Sequence, residues 1–169
     1  VAVSFPPLGA PYHAEYLDRN RLSIGAPIQR VDAANPAALP LVAVGRAIPN
    51  TELRIAGDDD KALQPEHVGH IQIRGGNVTA GYYQNPVANA ALHTADGWLR
   101  TGDLGVQIGG ELFITGRAKE IIFVNGQNYY PYDLESILIE RAGLELGKIV
   151  VRGVRRADSP TDELIAFVL

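Results

Sequence analysis

Asp103 is the residue whose surroundings most suit chemistry. Gly102 precedes it and Leu104-Gly105 follows, a pattern that reads as a tight loop between strands where the backbone can approach a ligand closely. A carboxylate there can accept from two adjacent hydroxyls of a sugar without needing any charge on the sugar. An Asx-turn would look the same, because aspartate also bonds to nearby backbone. Arg117 follows Gly116 at the end of a predicted strand. Its planar fork of donors suits hydroxyls or a phosphate, and it suits an ordinary surface position equally well. Lys119 and the turn Asn125-Gly126-Gln127 stand just beyond, and by residue type alone they are an exposed lysine and a hairpin turn. His13, His67, His70 and His93 are scattered without ligand spacing, and no cysteine is present to form thiolate sites or disulfides. His67 and His70 bracket Val68-Gly69 and read as turn residues. The run Asp58-Asp59-Asp60 could mimic a cation site, but consecutive side chains diverge along the backbone, so a solvated loop is the better reading. No residue is assigned as catalytic and none as a metal ligand.

The elements that must position these groups are mostly strands. The chain has 169 residues, enough to bury one core and part of a second. A net charge of -4 argues against a nonspecific grip on nucleic acid. No apolar run approaches the roughly 20 residues that span a bilayer. The opening VAVSFPPLGAPYH lacks the basic start of a signal peptide, so a soluble, cytoplasmic setting is expected. It also reads like the middle of a strand, as if cut from something longer. Alternating or β-branched runs at 41–44, 52–56, 70–74 and 111–115 predict strands. Turn chemistry separates 55 from 71, and Pro86 opens a short helix that should end near Asp96-Gly97. Tyr82 and Tyr83 are expected to pack a turn against the β core, with Trp98 as a core anchor. After Arg117 the pattern changes: IIFV-NG-QNYY predicts a type I′ hairpin, Pro131 opens a helix to about Ala142, and two further strands follow at 148–153 and 164–169. The fold class is therefore mainly β with an α+β tail. A distorted β-barrel-like subdomain is expected over 1–117, followed by the first part of a small α+β domain over 118–169.

Four segments occur in a telling order: GNVTAGYYQNP at 76–86, GWLRTGDLG at 97–105, ELFITGRAKEII at 111–122 and FVNGQNYYPYDLE at 123–135. Any one is weak, but together they resemble the adenylate-forming superfamily of acyl-CoA ligases, nonribosomal peptide adenylation domains and fatty acyl-AMP ligases. VSFPPLG, LVAVGRAIPNTELRI and above all GQNYYPYDLE look most like the fatty acyl-AMP ligases.

The resemblance implies that Asp103 and Arg117 converge on the ribose of an acyl-adenylate at a domain junction. Lys119 would lie at the hinge of a rotating C-terminal domain. Asn125, Gly126 and Gln127 would form a loop that swings in for the second half-reaction, its glycine allowing close passage of a pantetheine arm. The implied parent joins a fatty or related carboxylic acid to ATP with Mg, then passes the acyl group to an acyl carrier protein phosphopantetheine, or to CoA. The family's triphosphate loop, its aromatic-Gly-x-x-Glu segment and its C-terminal catalytic lysine have no match here. The isolated chain is accordingly expected to be inactive and to hold no nucleotide tightly. An acyl-CoA ligase, an amino-acid adenylation domain and a noncatalytic carrier-protein docking module stand as alternatives.

Overall fold

Alternation in TELRIA and HIQIR gives this protein a sheet with two chemically different faces. The computed structural model describes residues 3–125, 127–156 and 159–169, and they form two compact units, Val1–Thr115 and Gly116–Leu169. In the first unit the chain runs β1 (Ser4–Phe5), β2 (Ala14–Asp18), β3 (Ala38–Val42), β4 (Arg46–Ala47), β5 (Thr51–Ala56), β6 (Gly69–Gly75), α1 (Pro86–Leu92), β7 (Leu99–Ile108) and β8 (Glu111–Arg117). The central sheet has the order β5-β6-β7-β8, with β2–β3 and β1–β4 as separate antiparallel pairs. Backbone bonds from Val44 to Leu112 and from Leu112 to Gly45, each 2.8 Å, carry the ladder past β8.

On one face Ile55, Ile71, Ile73, Leu99 and Leu112 form a buried apolar cluster, as period-2 alternation requires. The other face is ionic and aromatic. Arg54 lies opposite Gln72, and Gln72 opposite Arg100. Gln72 is fully buried and donates to Asp60 Oδ1 at 2.6 Å. Arg100 Nε donates to the same oxygen at 2.9 Å, and its Nη2 pairs with Asp60 Oδ2. Arg54 grips Asp96 through two bonds of 2.7 and 3.1 Å. The Trp98 ring carries the Arg54 and Arg74 guanidinium groups at 4.5 and 4.6 Å from its centroid.

Three expectations are corrected here. Asp58, Asp59 and Asp60 do diverge, but Asp60 is no solvated loop residue: it closes the polar side of the sheet, while Asp58 meets His70 and Asp59 meets Lys61. His70 lies on β6 and His67 makes an isolated bridge to Pro27, so neither is a plain turn residue. Tyr82 and Tyr83 are exposed; their turn is fastened instead by Asn89, whose amide bonds the Tyr82 backbone N–H and C=O at 2.7 and 2.9 Å.

Helix α1 begins as expected, with Pro86 in its first turn and the Asn85 side chain accepting from Ala88 N at 3.1 Å. It stops at Leu92, short of Asp96-Gly97, because Thr94 pairs with Trp98 through backbone and hydroxyl and turns the chain into β7.

The ion pairs make acid stability predictable. Asp96 is held down to about 2 from 3.8, first by Arg54 and then by the Thr94 hydroxyl, and Asp60 is lowered by Arg100. A carboxylate depressed in the folded state stabilises fully above its unfolded value and loses that contribution as pH falls through the folded one. Asp96→Asn should therefore flatten the fall in melting temperature between about pH 4 and about pH 2. An unchanged acid profile would contradict the assigned pairing.

The second unit takes β8 onward from Gly116 through a 3-10 turn (Ala118–Glu120), then β9 (Ile122–Val124), β10 (Gln127–Tyr129), α2 (Pro131–Ala142), β11 (Ile149–Arg155) and β12 (Asp162–Val168). Val124 pairs with Gln127, and Asn125 has φ 50°, suiting the first position of a tight hairpin turn. Gly126 lies outside the described residues. Helix α2 runs from Pro131 to a left-handed Gly143, whose N–H bonds Ile139 O at 3.1 Å. It packs Leu134, Leu138 and Ile139 on Ile122, Ile149 and Val151. The whole is mainly β with a small α+β part, and among the described residues no helix is long and apolar enough to cross a membrane.

Candidate functional site

The geometry around Asp103 begins with a register shift. Gly69 faces Gly105 and His70 faces Leu104, whereas Gln72 faces Arg100 and Ile73 faces Leu99. Between these pairs β6 contributes only Ile71, while β7 contributes Thr101, Gly102 and Asp103. The two surplus residues are taken up in a bulge, a device that bends a strand and re-aims side chains. Gly102 supplies the required φ of 83°. The Thr101 hydroxyl stitches the bulge together, donating to Ile71 O at 2.9 Å and accepting from Asp103 N at 3.0 Å.

Asp103 therefore sits inside one continuous strand, not on the loop that its glycine neighbours suggested. The loop reading failed because a bulge depends on how many residues the partner strand offers, which spacing along one segment does not reveal. Thr101 was also overlooked. Its hydroxyl takes the place of ladder hydrogen bonds, and the only signal for it was a Thr immediately before Gly-Asp. Below the bulge, Gly69 and Gly105 face each other. A Cβ at Gly69 would lie 2.4 Å from Ala56 O, and one at Gly105 would lie 2.5 Å from Phe113 O, so the strands close up where side chains would hold them apart.

Strand β8 is joined to β7 by Gly109-Gly110, with φ 58° and 84°, a two-residue I′ turn, and it ends on exposed Arg117. Asp103 and Arg117 thus lie on neighbouring strands of one sheet. The position before Arg117 admits only glycine: the buried Tyr130 ring lies 2.6 Å from where a Gly116 Cβ would stand. Lys119 is exposed in the 3-10 turn. Asn125 and Gln127 flank the tip of the β9–β10 hairpin, where the Tyr129 hydroxyl donates to Gln127 Oε1 at 2.7 Å.

One cavity in the second unit, about 220 Å³, is lined by Glu120, Pro131, Tyr132, Glu135 and Arg152. Ligand pockets generally run from about 300 Å³ upward, so it is small for an adenylate. Among the described residues no group of His, Asp and Glu could hold a metal ion. The Asp103 carboxylate offers hydrogen-bond acceptors and the exposed Arg117 guanidinium offers donors.

No family model matches the chain. It is 38% identical over 169 residues to a candidate acyl-CoA synthetase of Caulobacter vibrioides, covering 99% of this chain and 29% of the relative. It is 36% identical over 172 residues to the 4-hydroxyphenylalkanoate adenylyltransferase of Mycobacterium marinum, covering 95% of this chain and 26% of that enzyme. A structure from studies of fatty acyl-adenylate ligases of E. coli and L. pneumophila superposes with a TM-score of 0.78 at 28% identity, covering 94% of this chain and 30% of that one. The chain thus spans less than a third of each of these relatives.

Proposed function

We propose, from the premise that this chain belongs to the adenylate-forming superfamily of acyl-activating enzymes, that it supplies the nucleotide-sugar edge and acyl-transfer hairpin of a ligase that activates a fatty or related carboxylic acid. The Asp103 carboxylate accepts from both ribose hydroxyls of ATP and of the acyl-adenylate, and Arg117 donates to the same sugar. Residues 1–117 form the last subdomain of the large N-terminal domain, and 118–169 the hinge, at Lys119, with the start of the C-terminal domain. ATP supplies the adenylyl group and Mg its charge neutralisation. The role given to Asp103 and Arg117 is to bind and orient the sugar.

The observation that carries this reading is the bulge at 101–103. It spends two surplus residues and two half-buried hydroxyl bonds on presenting one carboxylate, an arrangement that sheet stability alone does not call for. In the second half-reaction the pantetheine sulfur bonds the acyl carbon, the bond from that carbon to the phosphate oxygen breaks, AMP leaves with the electron pair, and the thiol proton passes to solvent. Asn125 and Gln127 line the approach of that arm.

Likeness to the fatty acyl-adenylate ligase structure, together with GQNYYPYDLE, favours a fatty acid and a carrier-protein acceptor. Likeness to the Caulobacter protein favours CoA instead. Supplying the full-length ligase with a fatty acid, ATP and either holo carrier protein or CoA should give acyl transfer to the carrier protein. Transfer to CoA alone would establish the second reading.

A further inference from the structure

Strand β9 uses one edge to pair with β10, and its other edge is met by side chains. Phe123 N donates to Asp162 Oδ2 at 2.7 Å. Thr161 Oγ1 donates to Phe123 O at 3.0 Å and accepts from Asn125 N at 2.9 Å. Two consecutive side chains thus satisfy three backbone groups that a neighbouring strand would otherwise bond. The pins are themselves held. The Asp162 side chain is only 11% exposed, and its Oδ1 accepts from Arg155 Nε at 2.5 Å. Thr161 is braced by Ser159, whose hydroxyl donates to Thr161 O at 2.8 Å and accepts from Thr161 N at 3.2 Å. Arg155 also reaches over the Phe123 ring, 5.9 Å from its centroid.

A hairpin bonded through backbone ladders on both edges would be fixed as part of a sheet. Here the outer edge is bonded by side chains of Thr161 and Asp162, and Asn125, the first residue of the turn, is directly included. We propose that Thr161 and Asp162 are positioning residues for Asn125 and Gln127 at the β9–β10 turn, aligning them for acyl transfer and leaving adenylate formation untouched. This rests on the acceptor-loop role given above.

The full-length ligase carrying Thr161→Val or Thr161→Ser separates the possibilities, with adenylation followed by pyrophosphate exchange and transfer by single turnover of preformed acyl-adenylate onto holo carrier protein. Valine keeps the shape and removes both hydroxyl bonds. It should slow transfer roughly tenfold or more, as small misplacements of positioning groups do, with adenylation unchanged within about twofold. Serine restores the hydroxyl and should restore the rate. In the valine variant the Asn125 amide, which loses its acceptor, should exchange with solvent faster, while the Phe123 amide keeps Asp162. Equal losses in both half-reactions, full transfer by the valine variant, or no rescue by serine would overturn the proposal. Gln127→Ala tests the underlying role separately: unchanged transfer there defeats the acceptor-loop reading and the proposal with it. A clear defect there beside a normal valine variant defeats the positioning role alone.

Discussion

Asp103→Ala in the full-length ligase should lower kcat/KM for ATP by roughly 10²- to 10⁴-fold, because it deletes two hydrogen bonds between a charged acceptor and the ribose, each contributing about 1.5–3 kcal/mol. Asp103→Asn keeps one acceptor oxygen and should fall between the two. The bulge itself is built from the Thr101 hydroxyl, Ile71 O and the Asp103 backbone N–H, all of which survive in the alanine variant. The strand should therefore keep these bonds while activity falls. Wild-type kinetics with ATP would remove Asp103 from the sugar site, whatever the fold of the remainder.

Trp98→Ala should cost about 3–5 kcal/mol of unfolding free energy, the usual penalty for emptying a large aromatic site. The ring is 8% exposed and carries two guanidinium groups within 4.6 Å of its centroid. Each such contact adds about 0.5–1 kcal/mol where water still reaches it. Arg54 and Arg74 would keep Asp96 and Glu52 as partners but lose the surface that orders them. Against a typical domain stability of about 5–15 kcal/mol the variant should be marginal, with a urea midpoint well below that of the native protein. A loss below about 1 kcal/mol would show that the cation–aromatic stack is peripheral.

How much of this was legible in the sequence depends on how local each signal is. Helix α2 was readable almost to the residue, because Pro131 and Gly143 mark its ends through their own backbone chemistry. Strands β5 and β6 were readable from alternation, and the second hairpin from Asn125-Gly126. What escaped depended on partners distant in sequence. Asp60 looked like one of three solvated acids, yet Arg100, forty positions away, draws it onto the sheet. Helix α1 looked longer than it is because the Thr94 hydroxyl, which ends it, gives no apolar signal. Asp103 could be singled out from Gly102 and Leu104-Gly105. Its placement on a bulge could not, since that follows from the single residue Ile71 that β6 sets against three of β7.

A crystal structure of the full-length ligase with a nonhydrolysable acyl-adenylate analogue would test the sugar site most directly. The Asp103 carboxylate should lie within about 3 Å of both ribose hydroxyls, with an Arg117 nitrogen also on the sugar. A ribose bound elsewhere, with Asp103 bonded only to protein, would contradict the function assigned to the bulge.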